Sequence, residues 1–217
     1  MGCCSKTVLV LFTVVLVVVA ILCHIIALVT HYWLNSSSDV QTNFLNLGLW
    51  RACFDDYIHP HESDRGPKVY DGCHGLYSDY YRTIRDWLIP SWLVACRICA
   101  IISLILQLIG LLLVIFILLW ILCKWIMCDP EEEGCGRVIL YATPIIWILA
   151  GMFLMITCMI FADNAFRLQC KDFWLGGDPN TNHLSYSWGF EVAACVISFL
   201  SGIFLIWVVV LKGRSEI

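Results

Sequence analysis

Charge is what this chain has least of. Only 14% of its 217 residues are Asp, Glu, Lys or Arg, and the formal net charge is -4. Nowhere do Lys and Arg cluster as a phosphate-binding surface requires, which excludes nucleic acid as a partner. Also missing are paired carboxylates, a Ser-His-Asp grouping, an HExxH segment and a Gly-rich phosphate loop. The sequence therefore offers no enzyme chemistry, and neither a cofactor nor a metal is expected. The apolar runs hold too few charges to line a hydrated path through a bundle, which argues against a pump or transporter.

Apolar length takes the place of charge. Hydrophobic residues make up 60% of the chain and the mean hydropathy is +0.82, outside the range of soluble globular domains. Four runs, Val8 to Val29, Leu93 to Leu122, Val138 to Phe161 and Val192 to Leu211, reach the roughly 20 residues a helix needs to cross a hydrocarbon core of about 30 Å. A closed barrel would alternate apolar with polar residues, and these runs do not. The expected fold is a membrane all-α four-helix bundle forming one domain over 1–217. Residues 30–89 and 162–189 are then outer loops, and 123–137 and 212–217 lie on the cytoplasmic side. Lys6, Lys124, Arg137, Lys212 and Arg214 flank that side, which agrees with both termini being cytoplasmic in the expected multi-pass plasma-membrane protein, although the first outer loop is long enough to escape the positive-inside rule.

The first run is longer than a signal-peptide core and has no small-x-small cleavage site, so it reads as a retained helix. Its His24 needs an interhelical partner. Arg97 leaves two readings open: it snorkels to the outer headgroups, or it turns inward and donates to carbonyls of the first loop. Pro144 predicts a bend in the third span. Ala194, Ser198 and Gly202 make a small-xxx-small ridge for close helix packing.

Thirteen cysteines fall into three settings: outer loops (Cys53, Cys73, Cys170), the opposite face (Cys3, Cys4, Cys123, Cys128, Cys135) and the spans. Lys6 stands where a myristoylation start needs Ser or Thr. Cys3, Cys4, Cys123 and Cys128 are candidate palmitoylation sites or plain reduced thiols. The most specific stretch is Gly48-Leu49-Trp50-Arg51-Ala52-Cys53. Phe44 to Phe54 and Lys68 to Cys73 read as two arms of a hairpin, with Asp55 to Pro67 as a polar insert. A Cys53–Cys73 disulfide between the arms suits an oxidising exterior and leaves Cys170 to pair between molecules, carry an adduct or stay free. His59, His61, Glu62, Asp64 and His74 match no zinc spacing. Tyr80 to Leu88 reads as an amphipathic lead-in to the second span.

Asn35-Ser36-Ser37 is a sequon that makes Asn35 a candidate glycosylation site, though its nearness to the membrane weighs against modification. Phe173, Trp174 and Leu175 in the shorter outer loop are candidate partner contacts or belt residues. Ser215-Glu216-Ile217 has the form of a PDZ ligand.

An aromatic at Trp33, then Gly48-Leu49-Trp50, Cys53, Cys73 and Arg97 in Leu93-Val94-Ala95-Cys96-Arg97 together resemble the claudin and peripheral myelin protein superfamily. That resemblance implies a left-handed four-helix bundle carrying a small extracellular antiparallel β-sheet. The interval from Cys53 to Cys73 is longer than in vertebrate claudins and closer to invertebrate septate-junction relatives, so pore-lining positions are not carried over. The resemblance implies a cell-junction protein that supports intercellular adhesion and a paracellular barrier at septate or tight junctions. It would self-associate, contact other junction proteins and membrane lipid, and bind a cytoplasmic PDZ scaffold. The alternative is an auxiliary subunit of a membrane channel or receptor. A tetraspanin fits less well, because the second outer loop is short and holds one cysteine.

Overall fold

A computed structural model describes residues 3–36, 43–59, 68–127, 133–166 and 182–213. In chain order the elements are α1 (Cys3–Val29), β1 (Leu34–Ser36), β2 (Phe44–Leu47), β3 (Arg51–Ile58), β4 (Val69–Gly75), a 3-10 turn (Asp79–Tyr81), α2 (Arg85–Leu88), α3 (Ser91–Met127), α4 (Glu133–Phe166), β5 (Asn182–Leu184) and α5 (Tyr186–Gly213). Among the described residues, four segments are long and apolar enough to cross a membrane: Val8–Val29, Ser91–Trp120, Val138–Ala165 and Tyr186–Val210. Their Val- and Ile-rich stretches would weaken a helix in water. In lipid, each backbone amide and carbonyl must be satisfied inside its own segment, and the helix results.

The chain divides into two compact units. The first comprises Met1–His24, Ala100–Met155 and Val192–Ile217. Val17, Ala20, Ile21, Val114, Trp147 and Leu205 form one part of its core, and Val10, Ile117, Leu140 and Val208 another. A chain of hydrogen bonds crosses this apolar interior. His24 Nδ1 donates to Gln107 Oε1 at 2.8 Å, Gln107 Nε2 donates to Ser198 Oγ at 3.1 Å, and Ser198 Oγ donates to the Ala194 carbonyl at 2.7 Å. His24 thus has its interhelical partner, and α1, α3 and α5 share one polar tie. Single substitutions His24→Leu and Gln107→Leu, with the double variant, should give a coupling energy of about 1 kcal/mol in a double-mutant cycle of thermal stability. Additive losses would show that the tie contributes nothing beyond packing.

The small-residue ridge on α5 is used within the molecule. Ala194 packs with Leu154 of α4, and a Cβ added at Gly202 would meet Ile148 Cγ1 at 2.8 Å. α4 continues through Pro144, and the Thr143 hydroxyl donates to the Ile139 carbonyl at 2.6 Å.

The second unit comprises Ile25–Cys99 and Ile156–Glu191. Among the described residues it holds a five-stranded antiparallel sheet in the order β4-β3-β2-β1-β5. The expected two-armed hairpin is therefore incomplete. Phe44 to Phe54 is two strands, not one arm, because the chain turns at Gly48-Leu49-Trp50 between them. Leu34–Ser36 and Asn182–Leu184 add further strands that are too short for periodicity to signal. The polar insert also begins later than expected, since β3 runs on to Ile58 and pairs Tyr57 with Tyr70 and Ile58 with Val69.

A register shift between Phe54 and Tyr57, with Asp56 at φ 47, accounts for that extension. Three residues apart, Phe54 and Tyr57 would face opposite sides of a regular strand. One extra residue returns both to the same face. They are buried there and stack at 4.9 Å, above Tyr70 and Tyr81. Burial pushes the Tyr57 and Tyr81 phenols well above their usual range, and Tyr81 donates its proton to the Ala52 carbonyl at 3.0 Å.

Two further boundaries differ from expectation. Tyr80 to Leu88 is a 3-10 turn and a single helical turn, not one amphipathic segment. α5 opens at Tyr186, ahead of the expected Val192, so Tyr186 and Trp188 belong to the helix. Trp188 Nε1 donates to the Cys158 carbonyl at 3.2 Å.

Candidate functional site

Helix α1 ends at Val29 with carbonyls that no further turn can satisfy. The Thr30 amide and hydroxyl donate to the Ile26 carbonyl at 3.1 and 2.6 Å. Trp33 Nε1 takes the Ala27 carbonyl at 2.7 Å. Fully buried, Trp33 also lies 4.9 Å from Phe161, which meets Trp92 at 5.7 Å. This first motif residue is thus a cap on α1 and the centre of an aromatic cluster.

The Gly48-Leu49-Trp50 turn divides its work among three residues. Gly48 lies so close to the backbone of His31 that any Cβ would be driven onto the His31 Cα, so glycine is required by close approach. Leu49 is fully buried, whereas Trp50 is 37% exposed. Arg97 is 3% exposed and reaches this turn from α3. Its Nε donates to the Leu49 carbonyl, Nη1 donates to the Tyr77 hydroxyl at 2.7 Å, and the guanidinium sits 5.5 Å from the Trp50 ring and 5.1 Å from the Tyr77 ring. The inward reading of Arg97 holds, and the snorkelling one does not. Two aromatic faces replace the water that the cation gives up.

Beside the turn, Cys53 and Cys73 are opposed on β3 and β4 and joined by a disulfide. Closing a loop with a sequence separation of 20 stabilises the fold by about 3 kcal/mol on the chain-entropy model. Cys53→Ser should remove about that much stability in thermal unfolding, with the matching loss of the faster-migrating band on non-reducing gels. Wild-type stability in the variant would show that the sheet holds without its crosslink.

His31, Cys53 and Cys73 bring their ligand atoms within 4.8 Å of one another. Both sulfurs are bound in the disulfide, so no thiolate is offered to a metal. Burial, and then the Arg51 cation, lower the pKa of His31. His59 packs edge-on to Trp87 at 5.0 Å and His74 stacks on Tyr80 at 3.8 Å, so each has an aromatic neighbour instead of the other. His61, Glu62 and Asp64 lie outside the described residues.

Asn35 is half-buried in β1, paired with Asn46 on one side and His183 on the other. Ser37 of its sequon is outside the described residues, as are Phe173, Trp174, Leu175, Cys128, Cys170, Ser215, Glu216 and Ile217. The side chains of Cys3, Cys4 and Cys123 are also outside them. Two residues of the second unit had gone unnoticed in the sequence: Tyr77, the hydroxyl partner of Arg97, and Glu191, fully buried in α5. Glu191 had one available signal, its position directly before the apolar run that begins at Val192. Tyr77 had none.

The profile of the PMP-22/EMP/MP20/Claudin tight junction family matches residues 18–207. The chain belongs to that family. Comparison with curated proteins finds no match. As a claudin-type multi-pass membrane protein, the chain carries the family's sheet and apolar helices, with the Cys53–Cys73 disulfide in place.

Proposed function

We propose that this claudin-type chain is a cell-junction protein whose extracellular sheet recognises neighbours side by side and across the intercellular gap. Assembly of septate-junction type, sealing the gap, follows from the mixed signs of Asp71, Asp79, Arg82, Arg85 and Asp86, which favour neither cations nor anions. Phe173, Trp174 and Leu175 supply partner contacts in this reading, and Ser215-Glu216-Ile217 binds a cytoplasmic PDZ scaffold. The observation that carries it is the fastening of a disulfide-pinned sheet to α3 through Arg97 and the Leu49 carbonyl. A rigid recognition surface loses less entropy on assembly than a loop does.

Trp50 is at once a cover for Arg97 and an exposed aromatic. In cells that form contacts, Trp50→Ala and Cys53→Ser should leave the junction, as seen by microscopy of surface-labelled protein. Normal accumulation of both variants at contacts would count against the proposal. Purification in mild detergent tests the rival: a stoichiometric channel would mark an auxiliary subunit, and homo-oligomers or junction components a junction protein.

A further inference from the structure

β4 is the terminal strand of the sheet among the described residues. A terminal strand offers its outward N–H and C=O groups to any chain that can pair with them. The register identifies those groups. Cys53 and Cys73 are 4.1 Å apart at Cα, the narrow spacing of a pair that exchanges no backbone hydrogen bonds. The Leu76 amide donates to the Trp50 carbonyl at 2.9 Å, so Gly72, His74 and Leu76 turn toward β3. Asp71, Cys73 and Gly75 turn outward.

Most of these outward groups are occupied. The Asp71 amide donates to the Tyr80 hydroxyl at 2.8 Å, and that hydroxyl faces the Asp71 carbonyl as donor at 3.2 Å, so one phenol imitates half of a neighbouring strand. The Gly75 carbonyl accepts from the Ser78 amide at 3.0 Å and from its hydroxyl at 2.6 Å. The covering segment is itself held down. Lys68 Nζ donates to the Tyr80 carbonyl at 2.6 Å, Arg85 donates to the carbonyls of Tyr77 and Ser78, each at 3.1 Å, and the His74 ring lies on the Tyr80 ring.

We propose that Tyr80 is a latch on the β4 edge that keeps a second copy of this chain from adding its own β4 there. A second copy fits because an antiparallel pair centred on Cys73 is two-fold symmetric. That register sets Asp71 opposite Gly75 of the other copy and brings no like charges together. With the latch closed, both residues of each such pair are already engaged, and recognition between copies passes through side chains. The latch needs only the sheet and operates whatever role the sheet serves.

The test uses full-length, disulfide-intact protein in detergent micelles. Tyr80→Phe keeps the ring, its stack on His74 and its contact with Lys68, and removes the hydroxyl alone. Its dimerisation constant by analytical ultracentrifugation should tighten about tenfold, because the Asp71 carbonyl, left with the His74 ring nitrogen at 3.0 Å, becomes able to accept from the Gly75 amide of the other copy. Adding Gly75→Pro removes an outward donor at a position with open space around it and should restore the wild-type constant. In wild-type monomer the Asp71 amide should exchange hydrogen at least about tenfold more slowly than the Cys73 amide. Equal exchange at the two amides, an unchanged constant in Tyr80→Phe, or a tightening that survives Gly75→Pro would each overturn the latch.

Discussion

Gly48→Ala is expected to unseat the turn on which the sheet is organised. The added methyl points at the His31 backbone, which cannot rotate aside as a flexible side chain would. Relief requires moving either the end of β2 or the segment that leaves α1, and both are tied. The Trp33 amide donates to the Leu47 carbonyl at 3.1 Å, and the Gly48 amide donates to the Arg51 carbonyl at 2.8 Å. Overpacking against fixed backbone costs about 2 to 3 kcal/mol, a large share of the stability of most proteins. The measurement is the thermal midpoint in detergent together with the fraction carrying the Cys53–Cys73 bond. A loss within about 0.5 kcal/mol of zero, the ordinary range for surface substitutions, would show that the His31 segment yields and that glycine is not required.

Arg97→Leu is expected to have an effect of similar size by a different route. Leucine fits an apolar helix, so any loss comes from the groups left behind: the Leu49 carbonyl without its donor and the Tyr77 hydroxyl without its own. Hydrogen bonds from a charged donor contribute about 1.5 to 3 kcal/mol each, and an orphaned buried carbonyl adds its desolvation. A net loss of about 3 kcal/mol in thermal stability should follow. Arg97→Lys is the informative companion, since a single ammonium cannot serve a carbonyl and a hydroxyl along two edges of a planar fork. Lysine is therefore expected to recover under half of the loss. Full recovery would mean that charge, not fork geometry, fastens α3 to the turn.

The parts of this fold that were legible in the sequence are those with a long, one-dimensional signal. Four apolar runs declare their helices because lipid leaves the backbone no alternative. Cys53 and Cys73 were readable as partners because Phe44 to Phe54 and Lys68 to Cys73 have strand composition on both sides of a polar stretch. What could not be read is what depends on a third residue arriving from elsewhere. Arg97 was ambiguous until Leu49 and Tyr77 were seen beside it, since snorkelling and inward pointing demand the same sequence. β1 and β5 have three residues each, fewer than an alternation needs to show itself. β3 is longer than its composition signals because its bulge breaks the period of two between Phe54 and Tyr57. Glu191 is not legible as a buried residue because an acidic residue at the edge of an apolar run looks like the end of a span.

The disulfide and the Tyr57–Tyr70 and Ile58–Val69 pairs fasten β3 to β4 on the near side of the segment that joins them. Residues in that connection, from Pro60 to Pro67, can grow in number at a penalty that rises only logarithmically, about 0.6 kcal/mol for each doubling. This lets the interval between Cys53 and Cys73 lengthen without disturbing the ladder. An epitope inserted between Pro60 and Pro67 would therefore leave the β3–β4 ladder intact.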